Sequence, residues 1–213
     1  MPKLNTNPSG LQYPGVYRNG NGDSTQVGTY HLADNPQLYE IQRSNNFELI
    51  ITGLENLRRP GTVGDESTAI IKNAQEVIRL SVASSFVPSF SQSPIEIRRG
   101  NNSFKYAGVP TFNGGQVVVN DYIGADTLGC LNAWQALSYN VYTEKVGLAS
   151  DYKKDCTLIE YSPDYQVVRK FNLHGCWISS LTQSDFNSEG NDKHQITMTI
   201  EIDRAEIDTS EDI

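Results

Sequence analysis

The sequence predicts a mainly β domain: an antiparallel barrel or sandwich with one flanking α-helix, preceded by an extended N-terminal arm. Three observations predict it. About seven or eight short stretches rich in β-branched and aromatic residues are bounded by Gly, Asn, Ser and Pro turns. One stretch alone carries a long apolar period of three to four: Leu128, Leu131, Trp134, Leu137 and Val141. A lone helix with such a stripe packs on a sheet. After residue 46 no sizeable linker interrupts the pattern, and no internal repeat is visible.

In order, residues 1–46 are rich in Asn, Gly and Pro. Pro8, Pro14, Pro36 and the run Asn19 to Asp23 break regular elements, so the segment reads as an arm. Its Tyr13, Tyr17, Tyr30 and Tyr39 dock either on a neighbouring surface or on the arm's own domain. Residues 47–54 form the first strand. Residues 65–73 suit a short helix, with Ala69, Ile70 and Ala74 on one face. In residues 77–83, Ile78, Leu80 and Val82 alternate with Arg79, Ser81 and Ala83, which predicts a strand paired with the first. Residues 84–94 hold two prolines and cannot be regular throughout. Their Phe86, Val87 and Phe90 need a destination, a core edge or another subunit. Residues 95–99 and 104–106 flank a turn at Gly100, Asn101 and Asn102, a hairpin.

Residues 116–120 form a strand, and Asp126 caps the main helix. Asn140 and Gly147 are exit signals. Residues 156–161 and 166–173 are strands around the turn Ser162-Pro163-Asp164. Residues 184–192 form a loop. In residues 194–204, Ile196, Met198, Ile200 and Ile202 face one way, and Gln195, Thr197, Thr199, Glu201 and Asp203 the other. Residues 47–205 thus make one domain, and 206–213 an acidic, frayed tail.

Composition excludes several function classes. The net charge of −8 is the wrong sign for a nucleic-acid binder. No apolar run approaches a membrane span, and the N-terminus lacks the pattern of a signal peptide, so a cytoplasmic protein is expected. Three cysteines, Cys130, Cys156 and Cys176, are too scattered for a disulfide scaffold or a zinc site; buried free thiols are expected, with a bond between copies as the lesser alternative. His31, His174 and His194 lack ligand spacing. His174 and Cys176, two apart on a strand, could share a face but lack an orienting third group. Asp151 and Asp155 flank two lysines in a self-neutralising turn. Neither catalysis nor a cofactor is expected.

An ordered set of motifs goes further. Arg43-Ser44-Asn45-Asn46 precedes the first strand. Leu80-Ser81-Val82 runs into Phe86-Val87-Pro88, followed by Pro94-Ile95-Glu96-Ile97-Arg98-Arg99-Gly100-Asn101. Next come Val117-Val118-Val119-Asn120-Asp121-Tyr122-Ile123-Gly124, Leu131-Asn132-Ala133-Trp134-Gln135-Ala136-Leu137 and Asp151-Tyr152-Lys153-Lys154-Asp155. Leu158-Ile159-Glu160-Tyr161-Ser162-Pro163-Asp164 and Gly175-Cys176-Trp177 close the series. Over residues 43–205 the chain resembles the tail tube proteins of contractile-tailed bacteriophages, a family similar to type VI secretion tube proteins and to baseplate tube initiators.

The resemblance implies a β-barrel with one flanking helix, built into hexameric rings stacked as a hollow tube. It implies as partners further copies of the chain, the tail sheath protein, baseplate and tail-terminator proteins, and a tape measure protein in the lumen. DNA passes through without specific binding, and no membrane is involved. The assembly would form in the host bacterial cytoplasm and end in the virion tail. Phe86, Val87, Pro88 and Phe90 align with the family's inter-ring loop. Thr197, Thr199, Glu201 and Asp203 become candidates for the channel wall, where acidic groups would repel DNA phosphate; the alternative is that they face the sheath.

Overall fold

A computed structural model describes residues 4–6, 12–17, 41–60, 71–190 and 192–208. The chain divides into two units, residues 1–44 and 45–213. In the first, β1 (Leu4–Thr6) and β2 (Gln12–Tyr17) pair antiparallel, with Leu4 opposite Tyr17. The docking expected of the four tyrosines concerns side chains outside the described residues, and the short helix expected at 65–73 lies largely outside them too.

The second unit runs β3 (Phe47–Ile51), α1 (Ala74–Ser81), β4 (Val82–Ser84), β5 (Ser89–Arg99), β6 (Asn102–Asn113), β7 (Gly115–Asn120) and α2 (Thr127–Ser138). It continues through β8 (Tyr139–Asn140), β9 (Lys145–Val146), α3 (Ala149–Tyr152), β10 (Lys154–Tyr161), β11 (Val167–Gln183), β12 (Gln195–Glu201) and β13 (Arg204–Asp208). Seven strands form one antiparallel sheet in the order β3-β10-β11-β12-β7-β4, with β13 also beside β11. The sheet curls into a half-barrel. Its concave face presents Leu49, Leu158, Leu173, Met198, Ile200 and Val117, all buried, and α1 and α2 close over them.

The main helix follows its sequence signals. Asp126 accepts from the Gly129 amide at 3.2 Å and also pairs with Arg59. Leu131 and Trp134 are fully buried, while Leu128 and Leu137 flank them half-buried. Trp134 donates through Nε1 to the Tyr152 carbonyl at 3.1 Å, which ties α2 to α3. The helix stops at Ser138, so Val141 leaves the stripe and stands exposed. Replacing Asp126 by alanine removes a cap and an ion-pair partner. The expected loss is about 1 kcal/mol, read as a lower urea midpoint with an unchanged slope.

Three expectations are corrected. Residues 74–81 are helix, not strand. Ala74, Ile78 and Ser81 share one buried face, the helical spacing of four and three. Leu80, an inward position in the strand reading, is exposed. The alternation was short enough to suit either period, and the deciding residue, Ala74, lay upstream of it. Consequently β3 pairs with β10 and not with this segment, while β4 pairs with β7. Arg79 of α1 instead pairs with Glu48 of β3. Second, the tail begins as structure: residues 204–208 form β13, held along β11 from His174 to Lys170. Third, β11 runs on to Gln183, well past Leu173, and it does so through a bulge.

At that bulge Cys156 faces Leu173 while Lys154 faces Cys176, so two residues of β11, His174 and Gly175, oppose Asp155 alone on β10. Gly175 takes the extra position at φ 68°, where an added Cβ would run into the Asp203 carboxylate. The bulge reverses the alternation. Leu173 and Cys176 both point inward, and His174 points out. Gly175→Ala therefore meets both left-handed strain of about 1–2 kcal/mol and a contact with Asp203. Its urea midpoint is expected to fall by more than that of an alanine placed at exposed Gly190.

Candidate assembly surfaces

Strands β5 and β6 leave the sheet as a long hairpin. The turn at Arg99, Gly100 and Asn102 closes it, with Gly100 at φ 63°. Residues 84–94 were expected not to be regular strand throughout, and residues 85–88, with Pro88, do lie between β4 and β5, but Pro94 falls inside β5 as Pro110 does inside β6. Both sit within the ladder, because a two-stranded hairpin has free edges that tolerate a residue without an N–H. Between Gln92 opposite Pro110 and Pro94 opposite Ala107, β6 carries one extra residue.

Beyond this bulge the two faces differ in chemistry. Ile95 lies opposite Tyr106 and Ile97 opposite Phe104, which puts four apolar side chains on one face. Glu96 opposite Lys105 and Arg98 opposite Ser103 occupy the other, with a Glu96–Lys105 ion pair at 3.3 Å. The apolar four are 45–54% exposed. An isolated hairpin is marginal in water, and an apolar face of this size is normally covered.

The four positions aligned with the inter-ring loop separate. Phe86 turns inward, packs on the core and lies against Gly115 of β7. Val87 is 60% exposed, and Pro88 is half-buried. Phe90, also exposed, belongs to β5 and meets Phe112 across the hairpin at 5.9 Å between ring centres. The two phenylalanines thus do different work, and only Phe90 offers surface. Sequence reasoning missed the larger apolar face at residues 95–106; its signal was the alternation Ile95, Ile97 against Phe104, Tyr106.

Thr197 and Thr199 lie half-buried on the convex face. Thr197 stands between Thr182 and Val118, and Thr199 between Ser180 and Gln116. Ser180 donates to Thr199 Oγ1 at 2.9 Å, and Gln195 Nε2 to Asn120 Oδ1 at 3.1 Å. The row is hydroxyl and amide more than charge. Glu201 and Asp203 are exposed at its end, but Asp203 accepts from Lys153 Nζ at 2.6 Å. His174 lies between Asp155 at 3.3 Å and Glu206 at 3.5 Å. Lys153 and Asp155 thus find partners beyond their own turn.

All three thiols are free and buried. Cys156 is held well above the ordinary thiol range by its hydrogen bond with Cys176, and then by burial. Burial likewise raises Cys130. Such thiols are inert as nucleophiles. The bulge puts His174 and Cys176 on opposite faces, which breaks up the pair considered from sequence. Among the described residues no cluster of His, Cys, Asp and Glu is placed to hold a metal, and no helix is long and apolar enough to cross a membrane.

Edges are open as well. Among the described residues no strand pairs with the outer edges of β3, β4 or β13, or with the second edge of β11 from Trp177 to Gln183.

The chain matches no protein-family model and no curated protein. Solved structures do match. A chain from the cryo-EM structure of an extracellular contractile injection system, the PVC sheath/tube terminator in its extended state, is 19% identical. That match covers 79% of this chain and 96% of that one, with a TM-score of 0.54. A chain from the six-fold symmetrised baseplate of the anti-feeding prophage is 6% identical and covers 79% and 95%, with a TM-score of 0.51. At such identities the likeness is one of fold. The fold is tail-tube-like, that of chains from contractile injection systems, and it agrees with the resemblance carried by residues 43–205.

Proposed function

We propose that this chain is a structural, non-catalytic subunit of a contractile tail, forming hexameric rings that stack into the tube of a bacteriophage virion. One observation carries the reading: a body of tail-tube-like fold leaves an amphipathic hairpin exposed and, among the described residues, several sheet edges open. Open edges invite pairing with another chain. One repeated heterologous contact closes into a ring when its rotation divides the circle. Residues 47–205 would be the ring-forming domain and 1–46 an arm that crosses to an adjacent copy or faces the sheath.

The hydroxyl row through Thr197 and Thr199 is suited to a channel wall, since it presents no basic side chain to hold passing DNA by counterion release. Glu201 and Asp203 would lie at its end. Sheath, baseplate, terminator and tape measure proteins are the partners this role requires.

A second reading, a terminator or baseplate ring present in few copies, is favoured by the two solved structures just described, one a sheath/tube terminator and the other a baseplate. Negative-stain microscopy of the pure protein at high concentration separates them. Long hollow tubes support the tube subunit, and single rings the terminal ring. A dispersed monomer refutes both.

A further inference from the structure

A second surface answers the hairpin. The C-terminal end of α2, the β8–β9 turn and the unpaired edge of β11 enclose a groove of about 610 Å³. Ala136, Tyr139, Val141, Tyr142, Trp177 and Ile178 line it. Tyr139, Val141 and Tyr142 are exposed, an unusual density of apolar side chains on four residues of a turn. Asn132, Gln135, Ser138 and Ser179, with Pro60, complete the lining, so an occupant meets these apolar side chains together with a few polar partners. The Trp177 ring packs edge-to-face with the Tyr152 ring of α3, 5.9 Å between centres. The hairpin of the same chain leaves its own apolar face uncovered and therefore does not fill this groove.

We propose that the face formed by Ile95, Ile97, Phe104 and Tyr106 of one copy seats in this groove of a second copy. The inference rests on the self-assembly reading above and names the two surfaces that meet. A second copy is the occupant because the two surfaces complement each other in polarity and in charge. The hairpin carries Arg98, Arg99 and Lys105 against Glu96 alone, on a chain of net charge −8, so the rest of the molecule is strongly acidic. At the groove, Glu201 stands beside Trp177 in the strand pairing, and the turn that carries Tyr142 presents Glu144 next to Lys145. Knob and groove lie on different surfaces, so the contact is heterologous and propagates from copy to copy.

The test pairs single thiols across the contact. Ile97→Cys and Val141→Cys are both exposed positions, so either variant folds. The three native thiols are buried, and wild-type protein sets the background. The variants are mixed, allowed to assemble, and treated with a short bismaleimide. The mixture is expected to give at least tenfold more covalent dimer than either variant alone. Strong dimer from Ile97→Cys alone would mean that hairpins pack on each other and would overturn the proposal. Rings or tubes in micrographs without mixed dimer would overturn it while leaving the self-assembly reading intact. Absence of both rings and dimer would overturn the two together.

Discussion

Trp134→Ala is expected to cost about 3–5 kcal/mol, a large share of the roughly 5–15 kcal/mol that holds a domain together. The indole is fully buried at the centre of α2, where the helix meets the concave face of the sheet. Its loss leaves a cavity that the curled sheet cannot close without losing its own contacts. It also leaves the Tyr152 carbonyl without its donor, which loosens α3 and, through the Tyr152 ring, Trp177. Trp134→Phe keeps most of the volume and removes only the N–H. Its expected loss is smaller, about 1–3 kcal/mol. Urea unfolding followed by far-ultraviolet circular dichroism reads both. A Trp134→Ala loss below that of Trp134→Phe would overturn the account.

The second large effect concerns assembly more than stability. Ile97→Ser with Phe104→Ser removes two half-exposed side chains from the apolar face of the hairpin. The monomer already covers about half of each, so its own stability is expected to fall by about 1–3 kcal/mol in all, short of the roughly 5–15 kcal/mol that holds a domain together. Covering the exposed half of each side chain contributes about 1 kcal/mol or more, on a scale of roughly 1.5–3 kcal/mol for full burial. Two such losses weaken each contact about thirtyfold, at 1.4 kcal/mol per tenfold. The penalty repeats at every subunit of a ring. Sedimentation should show monomer at concentrations where wild type assembles. Phe86→Ser behaves in the opposite way: Phe86 packs on the core beside Gly115, so stability falls and the assembly surface is untouched. A double variant at Phe86 and Phe90 would confuse the two effects, whereas the single variants separate them.

Much of the fold was legible because its signals are local. The alternation of Ile196, Met198 and Ile200 specified β12 and its buried face. Asp126 and the stripe through Leu131 and Trp134 specified α2. The turn at Gly100 specified the hairpin. The errors came where a short pattern suited two periods, as in α1, or where one residue reversed a register, as at Gly175. The bulge at Gly175 has no local mark beyond the glycine itself, and His174 and Cys176 ended on opposite faces because of it.

By itself, then, the sequence determined the β character of the chain, its one long helix, and which side chains share a face where a strand runs without a bulge, as in β12. The tertiary structure alone decided which of those faces are covered. Phe86 and Phe90 are the same residue type four positions apart, yet one is packed against β7 and the other stands in solvent. Periodicity depends only on neighbours along the chain, whereas burial depends on what distant segments lay over them, and that second quantity exists only once the sheet has curled.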